Sequence, residues 1–185
     1  MAHYSGRASR RHSLNIPGHA HELTFSCYRR FPFLSEDRCR NWFGRAISEA
    51  ALAHDFAIWA YVVMPEHVHL ILWPRKADYD MSAILKSIKE PVGRRGIAWL
   101  AKHAPDCLPR ITRTRGKRVE RLFWQSGGGY DRNIDNYETL ELMIDYIHAN
   151  PVRRNLVAHP CDWLWSSAKW HLRREPGPIP IDPIV

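Results

Sequence analysis

Along this chain, stretches that alternate apolar and polar residues in steps of two are interleaved with stretches whose apolar residues recur at helical spacing. Residues 21–28 (HELTFSCY) alternate loosely and run into a basic turn, which predicts a strand. Ser35-Glu36-Asp37 then opens a helix, with a capping serine and acids in the first turn. Trp42, Phe43, Ala46, Ile47 and Ala50 form its apolar stripe, and it ends near His54. Residues 56–64 are aromatic and β-branched, a second strand. Pro65-Glu66 breaks it, and residues 67–73 resume as a third, so the two pair as an antiparallel hairpin. On the third strand His67, His69 and Ile71 share one face, while Val68, Leu70 and Leu72 share the other. Both faces are apolar apart from the histidines, as expected of a central strand.

Residues 80–90 predict a second helix with Met81, Ile84, Leu85 and Ile88 inward; Pro91 should kink or restart it, and residues 92–102 continue it. Residues 105–121 read as a basic loop, 122–125 as a short aromatic stretch and 126–129 (SGGG) as a flexible run. Glycine there implies a hinge, or backbone close to a phosphate. Asn136 caps a third helix that runs to about Asn150, where Pro151 stops it. Leu156, Val157, Trp163, Leu164 and Trp165 pack back onto the core. The expected organisation is a flexible basic arm (1–15), one catalytic domain (16–172) and a Pro-rich tail (173–185). The order strand–helix–strand–strand–helix–strand gives an α+β, ferredoxin-like antiparallel sheet with helices on one face and an added C-terminal helix.

Composition narrows the partners. The chain has 185 residues, 45% of them hydrophobic, enough to bury one core. No apolar run approaches the roughly 20 residues of a membrane span, and no apolar segment follows the basic N-terminal residues, so a cytoplasmic protein, nucleoid-associated when bound to DNA, is expected. Lysine and arginine exceed the acids by 27 − 19 = 8, with a pI near 9.6. That excess suits a nucleic-acid partner. It is concentrated at Arg7, Arg10 and Arg11 and in the window holding Arg110, Arg113, Arg115, Lys117, Arg118 and Arg121. Cys27, Cys39, Cys107 and Cys161 are widely spaced and contain no metal-binding pair.

Candidate chemistry begins at His67 and His69, two imidazoles side by side on one strand face, an arrangement that can hold a divalent ion. On the third helix Leu140, Met143, Ile144 and Ile147 form the core stripe. Tyr146 and Asn150 lie four apart at its border, where both side chains can reach one cleft. A tyrosine hydroxyl can attack a phosphodiester and become covalently bound to phosphate; on spacing alone Tyr130 and Tyr137 compete for the role. Arg153 and Arg154, just past the helix, and Arg113, Arg115, Lys117, Arg118 and Arg121 are candidates for contacts to the DNA backbone.

The chain resembles the single-tyrosine transposases of the His-hydrophobic-His nuclease superfamily, in particular the REP-associated branch. The resemblance rests on YVVMPEHVHLIL at 61–72, YIHANPVRRNLV at 146–157 and WSSAKW at 165–170, with LNIPGHAHELTFSCYRR at 14–30 and FWQ at 123–125 in support. It implies His67 and His69 as a metal pair, Asn150 as third ligand and Tyr146 as nucleophile, with Mg²⁺ or Mn²⁺ as cofactor. It implies single-stranded or hairpin DNA as substrate, a 5′-phosphotyrosine and a free 3′-OH as products of cleavage, and strand transfer by that hydroxyl. In relatives the tyrosine helix acts within one chain or is exchanged across a dimer, so monomer and homodimer both stand. The long basic loop and the glycine-rich SGGGYDRN at 126–133 depart from the usual pattern. Two alternatives are a non-catalytic nucleic-acid-binding module on the same fold and a zinc hydrolase that adds His54 or His148 to the histidine pair.

Overall fold

The computed structural model describes residues 14–185, so most of the expected N-terminal arm lies outside the described residues. The main elements are β1 (Ala20–Ser26), α1 (Asp37–His54), β2 (Phe56–Val63), β3 (His67–Pro74), α2 (Met81–His103), α3 (Leu108–Ile111), β4 (Thr112–Arg115), β5 (Arg118–Arg121), β6 (Tyr130–Ile134), α4 (Tyr137–His148), α5 (Asn150–Arg153) and α6 (Ala168–Arg173). Four strands form one antiparallel sheet in the order β2-β3-β1-β6, the ferredoxin-like arrangement expected. β3 is central, as its two apolar faces require.

Alternation along the strands divides the core in two. Leu23, Phe25, Val68, Leu70 and Leu72 face α1 and α2, where Phe43, Ile47, Ile84 and Ile88 are fully buried against them. Ala57, Trp59 and Ile71 face the other way and meet Leu140, Ile144 and Ile147 of α4. α4 is therefore the added helix, on the face opposite α1 and α2. This is also the face that carries His67 and His69.

Several local expectations are corrected. Ser35 lies in a 3₁₀ turn and Glu36 takes the N-cap of α1, without a side-chain cap bond. Asp80 and Asn136 do cap, accepting from the amides of Ser82 and Thr139. α2 runs unbroken through Pro91, because Met81, Ile84, Leu85, Ile88 and Val92 keep both halves on one buried stripe. The basic segment 105–121 is not a loop: it forms α3 and a β4–β5 hairpin, closed by a two-residue turn in which Gly116 takes φ +60. The fourth strand of the main sheet is β6, a polar edge strand that carries no alternating pattern. α4 ends at His148, and Pro151 belongs to the new turn of helix α5 instead of closing α4.

The glycine run has a packing explanation. Gly129 adopts φ +88, and a Cβ there would lie 2.2 Å from the carbonyl oxygen of Thr24. It lets β6 close onto β1. The C-terminal segment also has a seat: Asp182 exchanges hydrogen bonds with both backbone groups of Ile58, and Ile179 is buried beside Tyr61. With Trp165, Ser166 and Ser167 bonded further along, the free edge of β2 is covered.

Candidate active site

β3 places His67 and His69 on one face because neighbours two apart on a strand point the same way. Both are buried, and their Nε2 atoms stand 3.0 Å apart. Burial holds both rings in the neutral form: it lowers the pKa of His67, and it takes His69 down to about 3, helped by the charge His67 would carry. Each outer nitrogen is engaged. His67 Nδ1 lies 3.2 Å from the Glu66 carboxylate and His69 Nδ1 lies 2.9 Å from the Thr24 hydroxyl. An ionised carboxylate only accepts, so His67 carries its proton on Nδ1 and leaves a lone pair on Nε2. The threonine hydroxyl donates or accepts. With His69 protonated on Nδ1, both Nε2 lone pairs converge on one point.

That arrangement fits a divalent ion. Bonds of about 2.1 Å at a right angle put two ligand atoms about 3.0 Å apart, the separation found. Glu66 and Thr24 act as the outer partners that fix ring orientation. Asn150, the first residue of α5, gives its amide nitrogen to the carbonyls of Tyr146 and Ile147, at 3.0 and 3.2 Å. Among the described residues no hydrogen bond occupies its side-chain oxygen, the atom a cation would take. No three His, Cys, Asp or Glu side chains cluster as metal ligands among the described residues.

α4 brings Tyr146 over this pair. Its ring meets that of His69 edge-on with centroids 6.3 Å apart, and it is 44% exposed, open to an incoming strand. Arg153 stacks over the ring at 4.8 Å. Arg154 Nη1 lies 2.8 Å from Glu66 Oε1, which joins α5 to the residue beside His67. Burial would raise the Glu66 carboxyl, but the Arg154 hydrogen bond and the charges of His67 and Arg154 outweigh it and hold the group below the usual range.

A cavity of about 420 Å³ opens beside the pair, lined by Glu22, Thr24, His69, Tyr130, Arg132, Met143 and Tyr146. Tyr130 thus shares the cavity with Tyr146. Tyr137 starts α4, nine residues earlier, about 13 Å along the helix axis. The zinc candidates are elsewhere engaged: His54 Nε2 lies 2.6 Å from Ser87 Oγ, and His148 Nε2 lies 2.8 Å from Ser167 Oγ. Of the basic candidates, Arg153 and Arg154 join the site, whereas Arg113, Arg115, Lys117, Arg118 and Arg121 sit on the separate β4–β5 sheet. Arg113 and Arg118 are paired there with Glu120. Arg121 borders a second cavity of about 480 Å³ against α2, with Lys86, Lys89 and Arg94. Glu22, Thr24 and Arg132 were not legible as site residues. The available signal was their two-residue spacing, which puts Glu22 and Thr24 of β1 on the histidine face once Thr24 is paired with His69.

Comparison with known proteins gives the fold and the family. A REP-associated tyrosine transposase of Escherichia coli K12 is 30% identical over 137 residues, 74% of this chain and 68% of that protein. The solved structure of a REP-associated tyrosine transposase bound to a REP hairpin has the same fold: the match covers 96% of this chain and 93% of that one, with a TM-score of 0.66 and 23% identity. Among family descriptions, "Transposase IS200 like" matches residues 17–150, a span that takes in the histidine pair, Tyr146, Asn150 and the adjoining cavity. That is well over half of the chain, and the chain belongs to the IS200-like transposase family, whose members process DNA.

Proposed function

We propose that this protein is a metal-dependent transposase that nicks and rejoins single-stranded or hairpin DNA, with Tyr146 as nucleophile. The observation that carries the reading is the pair of neutral imidazoles, Nε2 atoms 3.0 Å apart, directly under the exposed Tyr146 ring. The substrate class follows the relative whose structure holds a REP hairpin. Mg²⁺ or Mn²⁺ held by His67, His69 and Asn150 would supply positive charge to the phosphate oxygens and to the departing 3′ oxygen.

The chain's own groups do the rest. Tyr146 Oη gives its proton to solvent water and forms a bond to phosphorus; the bond from phosphorus to the 3′ oxygen breaks, and that oxygen takes a proton back from water and leaves as a 3′-OH. The product is a 5′-phosphotyrosine. In joining, a 3′-OH attacks the same phosphorus and Tyr146 leaves. Arg153 stacks over the ring and helps to hold it in place. Arg154 is shared with Glu66 and steadies both α5 and His67. Since Tyr146 overlies the histidines of its own chain, we take the site to work in cis.

The test is incubation of the full chain with hairpin-bearing single-stranded DNA and Mn²⁺. A covalent protein–DNA adduct should form, require the metal, and be absent in Tyr146→Phe; an adduct of equal yield in that variant would refute the assignment.

A further inference from the structure

The cavity beside Tyr146 contains a buried acid that the cleavage reaction leaves unused. Glu22 is 5% exposed and lines the cavity, yet among the described residues no hydrogen bond or ion pair holds its carboxylate. Its oxygens are not among the fully buried polar atoms that lack a partner, so the carboxylate faces the open space of the cavity, where a ligand with matching donors would meet it. Burial pushes its pKa up against the pull of Arg132. Arg132 is its register partner across the β1–β6 ladder, and among the described residues its side chain makes a 3.7 Å approach to Met143 Sδ. An acceptor and a donor, register partners on neighbouring strands, therefore line one space of about 420 Å³. Met143, Tyr130 and Tyr146 line it too. Among the described residues Glu22 forms no cluster of three with His67 and His69.

We propose that this cavity is a nucleobase pocket that reads one unpaired guanine next to the phosphate cleaved, with Glu22 and Arg132 as the reading pair. Guanine carries two adjacent N–H donors, N1 and N2, beside the O6 acceptor. A carboxylate accepts from both N–H groups at once, and a guanidinium donates to O6. Adenine and cytosine would turn a ring-nitrogen acceptor toward the carboxylate, and thymine offers it a single donor. The pocket gives the protein sequence preference at the chemical step, separate from any recognition of a hairpin stem.

This inference rests on the Tyr146 reading, and one experiment separates the two. The full chain, with Mn²⁺, is offered a pool of oligonucleotides that carry a hairpin and a randomised single-stranded flank, and the covalent adducts are sequenced. Guanine should be enriched at one position adjoining the cleaved bond by roughly tenfold to a hundredfold. Glu22→Gln should lose most of that enrichment while its Mn²⁺ affinity stays unchanged. Arg132→Met, at an incompletely buried position, should lose it too, and serves as the test if Glu22→Gln does not fold. Adducts with no base preference, or a guanine preference that survives both substitutions, overturn the pocket alone. A tenfold loss of Mn²⁺ affinity in Glu22→Gln would overturn it by making Glu22 a metal ligand. No adduct from any sequence would refute the Tyr146 reading, and the pocket with it.

Discussion

At the scale of single residues, the site depends on where two protons sit. His67 and His69 would bind a cation through Nε2 only with both protons on Nδ1; Glu66 fixes that for His67, and Thr24 can accept the Nδ1 proton of His69. Thr24→Val removes the partner of His69 with little change in volume. It should weaken Mn²⁺ binding by roughly tenfold to a hundredfold, as loss of an outer-shell partner usually does, while His69→Ala should abolish it. Titration calorimetry without DNA reads this directly; wild-type affinity in Thr24→Val would remove the threonine from the account. The two histidines were legible from spacing alone, since strand geometry forces i and i+2 onto one face. Thr24, Glu22 and Arg132 were not, because their place depends on which strands pair and in what register, and no local pattern encodes that.

At the scale of elements, α4 must hold Tyr146 steady over β3, and two clasps do so. One is Arg154 to Glu66. The other lies in WSSAKW: Ser167 Oγ bonds the backbone of Tyr61 in β2 and His148 Nε2 at the end of α4. His148 is held neutral by burial, its pKa taken down to about 3 with help from the charge of His171 beside it, and His171 is itself lowered chiefly by burial. In the unfolded chain both would charge near pH 6.5. Their contribution is thus whole above about pH 6.5 and is lost progressively as pH falls toward 3. At pH 5.5 His148 alone should cost about 1.4 kcal/mol. The melting temperature should therefore drop between pH 7.5 and 5.5; an unchanged value would mean that His148 is not buried as described. Elements with strong periodicity, α1, β2, β3 and α4, stood out in the sequence. β6 and the β4–β5 hairpin did not, because edge strands that face water on one or both sides have little apolar alternation to display.

At the scale of the whole molecule, the ferredoxin-like order puts the histidines at the centre of the sheet and leaves one face for α4. The rings of Tyr146 and His69 thus meet within a single chain, the contact on which the proposed cis arrangement rests. Mixing His69→Ala protein with Tyr146→Phe protein should restore no adduct, whereas substantial restoration would mean that the tyrosine helix is exchanged between two chains. The proposed reaction depends on one oxygen, Tyr146 Oη. Digesting the covalent protein–DNA adduct and locating the phosphotyrosine by mass spectrometry tests it most directly. The expected result is a single modified residue, Tyr146; a nucleotide remnant on Tyr130, which shares the cavity, or on Tyr137 would contradict it.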